Sequence, residues 1–132
     1  MRNWVAGLAM LWAGAAGAQD AGAIEDVIRQ QLDAFLARDV DTAWGFASPM
    51  IQGLFGTPQN FGRMVENGYP MVWDNTDVDF RDLAGGPVVF TQDVYLRDPG
   101  GTGWVAEYDM IETPEGWRIN GVRILPAPDL ST

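Results

Sequence analysis

The spacing of apolar residues changes midway along this chain, and that change restricts its fold more than any other feature. In the first half Ile24, Val27, Ile28, Leu32, Phe35 and Leu36 recur at helical spacing, which predicts a helix over Ile24–Arg38 with one apolar stripe. Glu25 and Asp26 in its first turn and Arg38 in its last suit the helix dipole. Arg29 follows Glu25 by one helical turn and precedes Asp33 by another, so the outer face can hold ion pairs. Asp39 or Asp41 can cap a second, short helix through about Ala47, which Ser48-Pro49 is expected to stop. A loop carrying Met50, Ile51, Leu54 and Phe55 follows, broken by Gly53 and Gly56. Thr57-Pro58 then supplies an N-cap followed by proline at the first helical position, and a third helix is expected to reach about Asn67, before Gly68.

From Tyr69 onward the period becomes two. Val78 and Phe80 alternate with Asp77, Asp79 and Arg81. After Gly85-Gly86-Pro87 a longer strand places Val88, Phe90, Val94 and Leu96 on one face. Asp98-Pro99-Gly100-Gly101 turns into Trp104, Ala106, Tyr108 and Met110, and Thr113-Pro114-Glu115-Gly116 turns again into Trp117 and Ile119. At Gly121 the apolar phase slips to Val122 and Ile124, the signature of a β-bulge. Three helices followed by an antiparallel meander predict an α+β domain, with the helices on one face of a curved sheet. Pro126 and Pro128 then lead into a short tail.

The missing residue types exclude whole chemistries. The sequence has no Cys, no His and no Lys. That removes disulfides, thiol nucleophiles, imidazole metal ligands, Ser-His-Asp triads, Schiff bases and the phosphate-binding P-loop lysine. Carboxylates, Tyr, Ser, Thr and Arg are left for any chemistry, and no cofactor or metal is expected. The Asp74, Asn75, Asp77, Asp79, Asp82 run lacks the glycine and distal Glu of a calcium loop and alternates as a strand does. Asp109 and Arg118 are expected to pair across strands at the surface.

The first residues differ from the rest. Arg2, an apolar run from Trp4 to Ala13, and Ala16-Gly17-Ala18 make the three parts of a secretory signal peptide. The run is too short for a membrane span of about 20 residues. The expected organisation is therefore a signal peptide over residues 1–18, one α+β domain over 19–125, and a flexible tail over 126–132. The expected location is the periplasm or the medium, with no stable membrane association after cleavage. Cleavage would remove Arg2 and no acid, making the formal net charge of −10 one unit more negative. Such a field repels phosphate backbones, so nucleic acid is not an expected partner.

Several stretches resemble a family of short exported bacterial proteins of unknown function, the unknown-function domain family 4864. They are Ile24–Asp39 (IEDVIRQQLDAFLARD), Ala43–Gly56 with its ASPMIQGLFG core, Phe61–Pro70 (FGRMVENGYP) and Gly116–Gly121 (GWRING). More broadly, helices before a bent meander resemble the nuclear transport factor 2-like superfamily, which implies a cone-shaped sheet. The family resemblance implies no activity.

A curved sheet of this kind closes over an apolar pocket. Taking Asp98–Thr102 as the turn pairs Gln92 with Tyr108 and Phe90 with Met110, and the next hairpin brings Tyr108 beside Gly121. Gln92 is then the one polar residue on its strand's apolar face, next to the Tyr108 phenol and the side-chain gap of Gly121. Gln92, Tyr108 and Gly121 are the candidate ligand-binding residues, with Tyr69 beside Pro70 as a fourth. A buried Gln satisfied by Tyr108 or by backbone is the bland alternative. No catalytic residue is assigned. Ketosteroid isomerases in the superfamily work with Asp and Tyr, but here every strand Asp falls on the polar face, leaving Tyr108 without a base. The leading functional reading is a non-enzymatic module binding a small apolar ligand or a protein. The alternatives are an isomerase or lyase using Tyr108 with a carboxylate, and a structural homodimer closed through its sheet. The signal-peptide reading carries the first prediction. Protein recovered from the periplasm is expected to begin at Gln19 by intact mass, and a product that retains Trp4 and Trp12 would overturn cleavage after Ala18.

Overall fold

The computed structural model describes residues 18–128, so all but the last residue of the expected signal peptide over 1–18, and the end of the tail, lie outside the described residues. Among the described residues five helices precede four strands. They are α1 (Ala18–Leu36), α2 (Val40–Gly45), α3 (Pro49–Phe55), α4 (Pro58–Gly68) and α5 (Pro70–Trp73), then β1 (Thr76–Gly85), β2 (Val89–Arg97), β3 (Gly103–Thr113) and β4 (Gly116–Pro126). The strands form one antiparallel sheet in sequence order. This is the expected α+β order, with more helical pieces than the expected three.

The extra pieces have local causes. Ser48-Pro49 does not only end α2. The Ile51 N–H donates to Ser48 Oγ and Pro49 takes the first helical position, so the pair opens α3 where a loop was expected. Thr57-Pro58 opens α4 in the same way, with Asn60 N–H donating to Thr57 Oγ1 at 3.1 Å. Pro70 likewise starts α5, so the extended backbone begins at Thr76 and not at Tyr69. Asp39 caps α2: the Thr42 N–H and hydroxyl donate to its carboxylate, and the hydroxyl bond chiefly lowers its pKa.

The sheet follows the alternation closely. Leu96 faces Trp104, Val94 faces Ala106, Gln92 faces Tyr108 and Phe90 faces Met110, as the turn at Asp98 requires. That turn is held by its own aspartate. Trp104 Nε1 donates to Asp98 Oδ2, and the Gly100 and Thr102 N–H groups donate to Oδ1, each at 3.0 Å. In β4 the expected bulge is present, with Met110 opposite Ile119 and Asp109 opposite Gly121, so Asn120 is the extra residue. Past it, Tyr108 lies opposite Val122 and not Gly121. β4 continues to Pro126, opposite Trp104, so the first residue of the expected tail belongs to the sheet.

One face of the sheet meets the helices. Val94, Leu96, Ala106, Tyr108, Met110, Trp117 and Ile119 are buried there against Ile24, Ile28, Leu32 and Phe35 of α1. The opposite face carries charge. Arg123 bonds Glu107 at 3.0 Å and Asp109 at 2.8 and 3.1 Å, and Thr91 Oγ1 donates to Asp109 at 3.0 Å. Arg123 is thus the partner of Asp109, where Arg118 was expected. Arg118 lies opposite Ile111, on the turn side of the bulge, and its guanidinium lies 5.9 Å from the Phe46 ring. The bonds from Arg123 hold the Asp109 carboxyl below its usual range. Asp93 moves the other way, raised by partial burial and then by Glu107 and Asp82.

The helices are tied to the sheet through the segment joining α2 to α3. Ile119 N–H donates to Phe46 O and Ser48 N–H donates to Ile119 O, both at 2.8 Å, making a parallel bridge at Ala47. These bonds satisfy the Ile119 N–H and C=O on the free edge of β4, which would otherwise be unpaired. Beside them the fully buried Ser48 donates its hydroxyl to Asn120 Oδ1 at 2.7 Å. Ser48→Ala removes both this bond and the α3 cap. A loss of about 1–2 kcal/mol in urea unfolding is expected, and an unchanged midpoint would show that Ser48 fastens nothing.

Candidate functional site

The helices do not pack evenly on the sheet, and the unevenness leaves a space. α1 packs on β4, while α4 packs on α2, α3 and α5. Between α3 and α4 above and β3 and β4 below lies a cavity of about 390 Å³. That volume falls within the range of roughly 300–1,000 Å³ typical of small-molecule sites. Ile51, Leu54 and Phe55 come from α3, and Phe61, Met64 and Val65 from α4. Ala47, Ile119, Gly121 and Val122 form the side nearest the bulge, and Tyr108 lies in the floor. Leu54 is exposed over 70% of its surface, so it marks the rim and not the depth.

The aromatic walls are held by one another. The Phe61 ring lies 5.9 Å from Phe35, 5.6 Å from Trp44 and 6.0 Å from Phe55, in tilted and edge-on contacts. Such contacts fix one wall. Met64 in the same lining is only partly buried, and its unbranched thioether can change rotamer cheaply.

Polar groups in the lining are few. Gln31, Tyr69 and Tyr108 are the side chains with hydrogen-bonding atoms, and among the described lining residues there is no carboxylate and no arginine. Gln31 is buried and donates its amide to Ala43 O at 3.1 Å. Tyr69 is half-buried at the junction of α4 and α5. Tyr108 is fully buried, and its hydroxyl is the buried side-chain polar atom that finds no hydrogen-bond partner among the described residues. Burial pushes its pKa well above that of an ordinary phenol, so the group is neutral.

Of the four residues singled out from sequence, the structure brings three to the cavity and separates one. Tyr108, Tyr69 and Gly121 line it, and Gln92 does not. Gln92 is buried on the expected face and opposite Tyr108, but its amide turns the other way along the sheet. It donates to Arg81 O at 2.9 Å, to Asp82 O at 3.4 Å and to Asp93 O at 3.0 Å. The cause is an irregularity in β1, where pairing jumps from Phe80–Val94 to Leu83–Gln92 and leaves two carbonyls to satisfy. Gln92 is therefore a structural residue of the β1 bulge. Gly121 is also corrected in its role. A Cβ there would sit 3.8 Å from Asp109 Oδ2, on the charged face, so its side-chain gap does not open beside Tyr108.

Sequence reasoning missed the whole α3 wall and Gln31. Both carried signals. Ser48-Pro49 repeats the Thr57-Pro58 pattern, and Gln31 stands on the stripe between Ile24, Ile28 and Phe35. The acidic run divides among separate partners. Asp74 pairs with Arg38, Asp77 with Arg97 and Asp79 with Arg81.

The orphan hydroxyl reverses a stability expectation. Were Tyr108 the partner of Gln92, Tyr108→Phe would destabilise the fold. With the hydroxyl buried and unpaired, Tyr108→Phe in ligand-free protein is expected to gain about 1 kcal/mol in urea unfolding. A loss of similar size would mean that the hydroxyl has a partner.

A family model described as Domain of unknown function (DUF4864) matches residues 17–132. The chain belongs to that family. No curated protein and no solved structure matches it.

Proposed function

We propose that this member of the family is an exported, non-catalytic module that holds a small, mostly apolar molecule in the cavity between α3, α4 and the sheet. The observation that carries this reading is the cavity itself, walled by apolar side chains and open to one side, with Tyr108, whose buried hydroxyl is unsatisfied, among its lining residues. Interiors are close-packed, and unfilled space forfeits dispersion contacts on every wall. A space of this size that a ligand fills recovers them. The order of helices before a bent meander supports the nuclear transport factor 2-like cone as the fold that shapes this cavity. Arg2, the apolar run and Ala16-Gly17-Ala18 support export.

A catalytic reading would need a base at the cavity. Its described lining offers none, and a neutral Tyr108 without a carboxylate can bind an oxygen but not abstract a proton. Self-association through the open sheet face is disfavoured by the Glu107, Asp109 and Arg123 network that covers it.

The test uses the neutral dye N-phenyl-naphthylamine, whose emission rises in apolar surroundings. Saturable enhancement at one dye per chain is expected, and it is expected to vanish in Val122→Trp, which fills the cavity from β4. Absence of saturable binding, or binding that survives Val122→Trp, would overturn the reading.

A further inference from the structure

We infer that the cavity selects a neutral ligand whose buried end carries one hydrogen-bond-accepting oxygen, a ketone, ester or similar group, and that Tyr108 is the residue that recognises it. This rests on the reading of the cavity as a binding site and specifies the chemistry of its occupant. The argument starts from what the lining lacks. With no carboxylate and no arginine among the described lining residues, a charged group entering the cavity would lose its hydration and gain no counter-ion. Anions face an additional barrier, because the chain carries 18 acids against 8 arginines. Charged amphiphiles are therefore excluded at their charged end, and the occupant is neutral where it is buried.

Its one polar feature follows from Tyr108. Other buried polar side chains are satisfied by backbone: Gln31 by Ala43 O, Asn75 by Leu32 O and Val72 O, and Gln92 by the β1 carbonyls. Ser48 is satisfied by Asn120. Tyr108 alone among them keeps an unmatched hydroxyl, although a phenylalanine would fill the same volume. A neutral phenol is a strong donor, and the group that answers it in an apolar cavity is an acceptor oxygen on the ligand. Tyr108 is fully covered, so the ligand reaches the hydroxyl after a side chain yields. Met64, partly buried and unbranched, is the lining residue best suited to do so.

The experiment compares dodecane, methyl decyl ketone, dodecanoate and dodecylammonium as competitors of the dye, on the wild type and on Tyr108→Phe. In the wild type the ketone is expected to bind about tenfold tighter than the alkane, and both charged chains more weakly than the ketone. In Tyr108→Phe the ketone advantage is expected to vanish while the alkane binds as before. Ketone affinity is expected to stay flat from mildly acidic to mildly alkaline pH, since neither partner titrates there. Equal binding of ketone and alkane in the wild type, or a ketone advantage that survives Tyr108→Phe, would overturn the inference and leave the cavity as a binding site. Tighter binding of dodecanoate than of the ketone would overturn it in favour of an anionic ligand. If none of the four displaces the dye and the dye itself fails to bind, the binding reading falls and this inference with it.

Discussion

The bridge between Ile119 and the segment Phe46–Ser48 is the contact on which the remaining architecture rests. Two backbone hydrogen bonds of 2.8 Å join the middle of the helical layer to an edge strand, and the Ser48–Asn120 bond lies beside them. The bulge at Asn120 makes this geometry available. It turns the Asn120 side chain toward Ser48 and shifts β4 by one residue, so that Gly121 pairs with Asp109 and Val122 with Tyr108. Without the bulge, Val122 and Ile124 would follow Ile119 out of phase and face the charged side. The same feature thus keeps β4 apolar on its inner face, covers its free edge, and anchors α3 at its first turn. Since α3 contributes no buried residue of its own, that anchor decides whether the cavity has a wall at all.

Much of this was legible in the sequence, and the parts that were not share a cause. Strict alternation across β2 and β3, with a turn closed by Asp98, fixes a register that the pairing reproduces residue for residue. The slip at Gly121 announces the bulge because apolar phase is conserved within a strand face. Failures came where side chains interact with backbone at a distance. Nothing in the alternation shows that β1 leaves the Arg81 and Asp82 carbonyls unpaired, so alternation alone does not decide between Tyr108 and backbone as the partner of the Gln92 amide, and the structure has backbone. The opposite pairing of Gln92 with Tyr108 was right, and the inference from pairing to bonding was not. In the helical half, Ser48-Pro49 reads as a stop and Thr57-Pro58 as a start. The physics of the two sites is the same: an N-cap hydroxyl, then a residue whose missing N–H needs no partner.

Consistency between local chemistry and global packing is what lets a sequence specify one structure, and departures from it point to function. This chain is consistent nearly everywhere. Among the described residues six acids pair with arginines, α2, α3 and α4 are capped by Asp39, Ser48 and Thr57, and Gln31, Ser48, Asn75 and Gln92 are each bonded despite burial. Two departures stand out, an apolar cavity and an unpaired buried hydroxyl, and the residue that carries the hydroxyl, Tyr108, is among those that line the cavity. Each alone has an ordinary explanation in imperfect packing. Their coincidence has a simpler one, because a single ligand with an apolar body and one oxygen corrects both.

The distribution of charge completes this logic. A domain without disulfides must be held by its core and its hydrogen bonds, and an acidic chain must keep its carboxylates apart from that core. The sheet does this by face. Glu107, Asp109 and Arg123 lie on the outside, and Val94, Ala106, Tyr108 and Ile119 lie within. One consequence is that the only hydrogen-bonding side chain that the sheet offers to the cavity is uncharged. Under the proposed binding role, recognition there rests on shape and on uncharged hydrogen-bonding groups, with no long-range attraction to draw the ligand in. Capture in that role begins with apolar contact at the rim, where Leu54 is exposed beside the partly buried Phe55 and Met64, and ends with the proposed hydrogen bond to Tyr108.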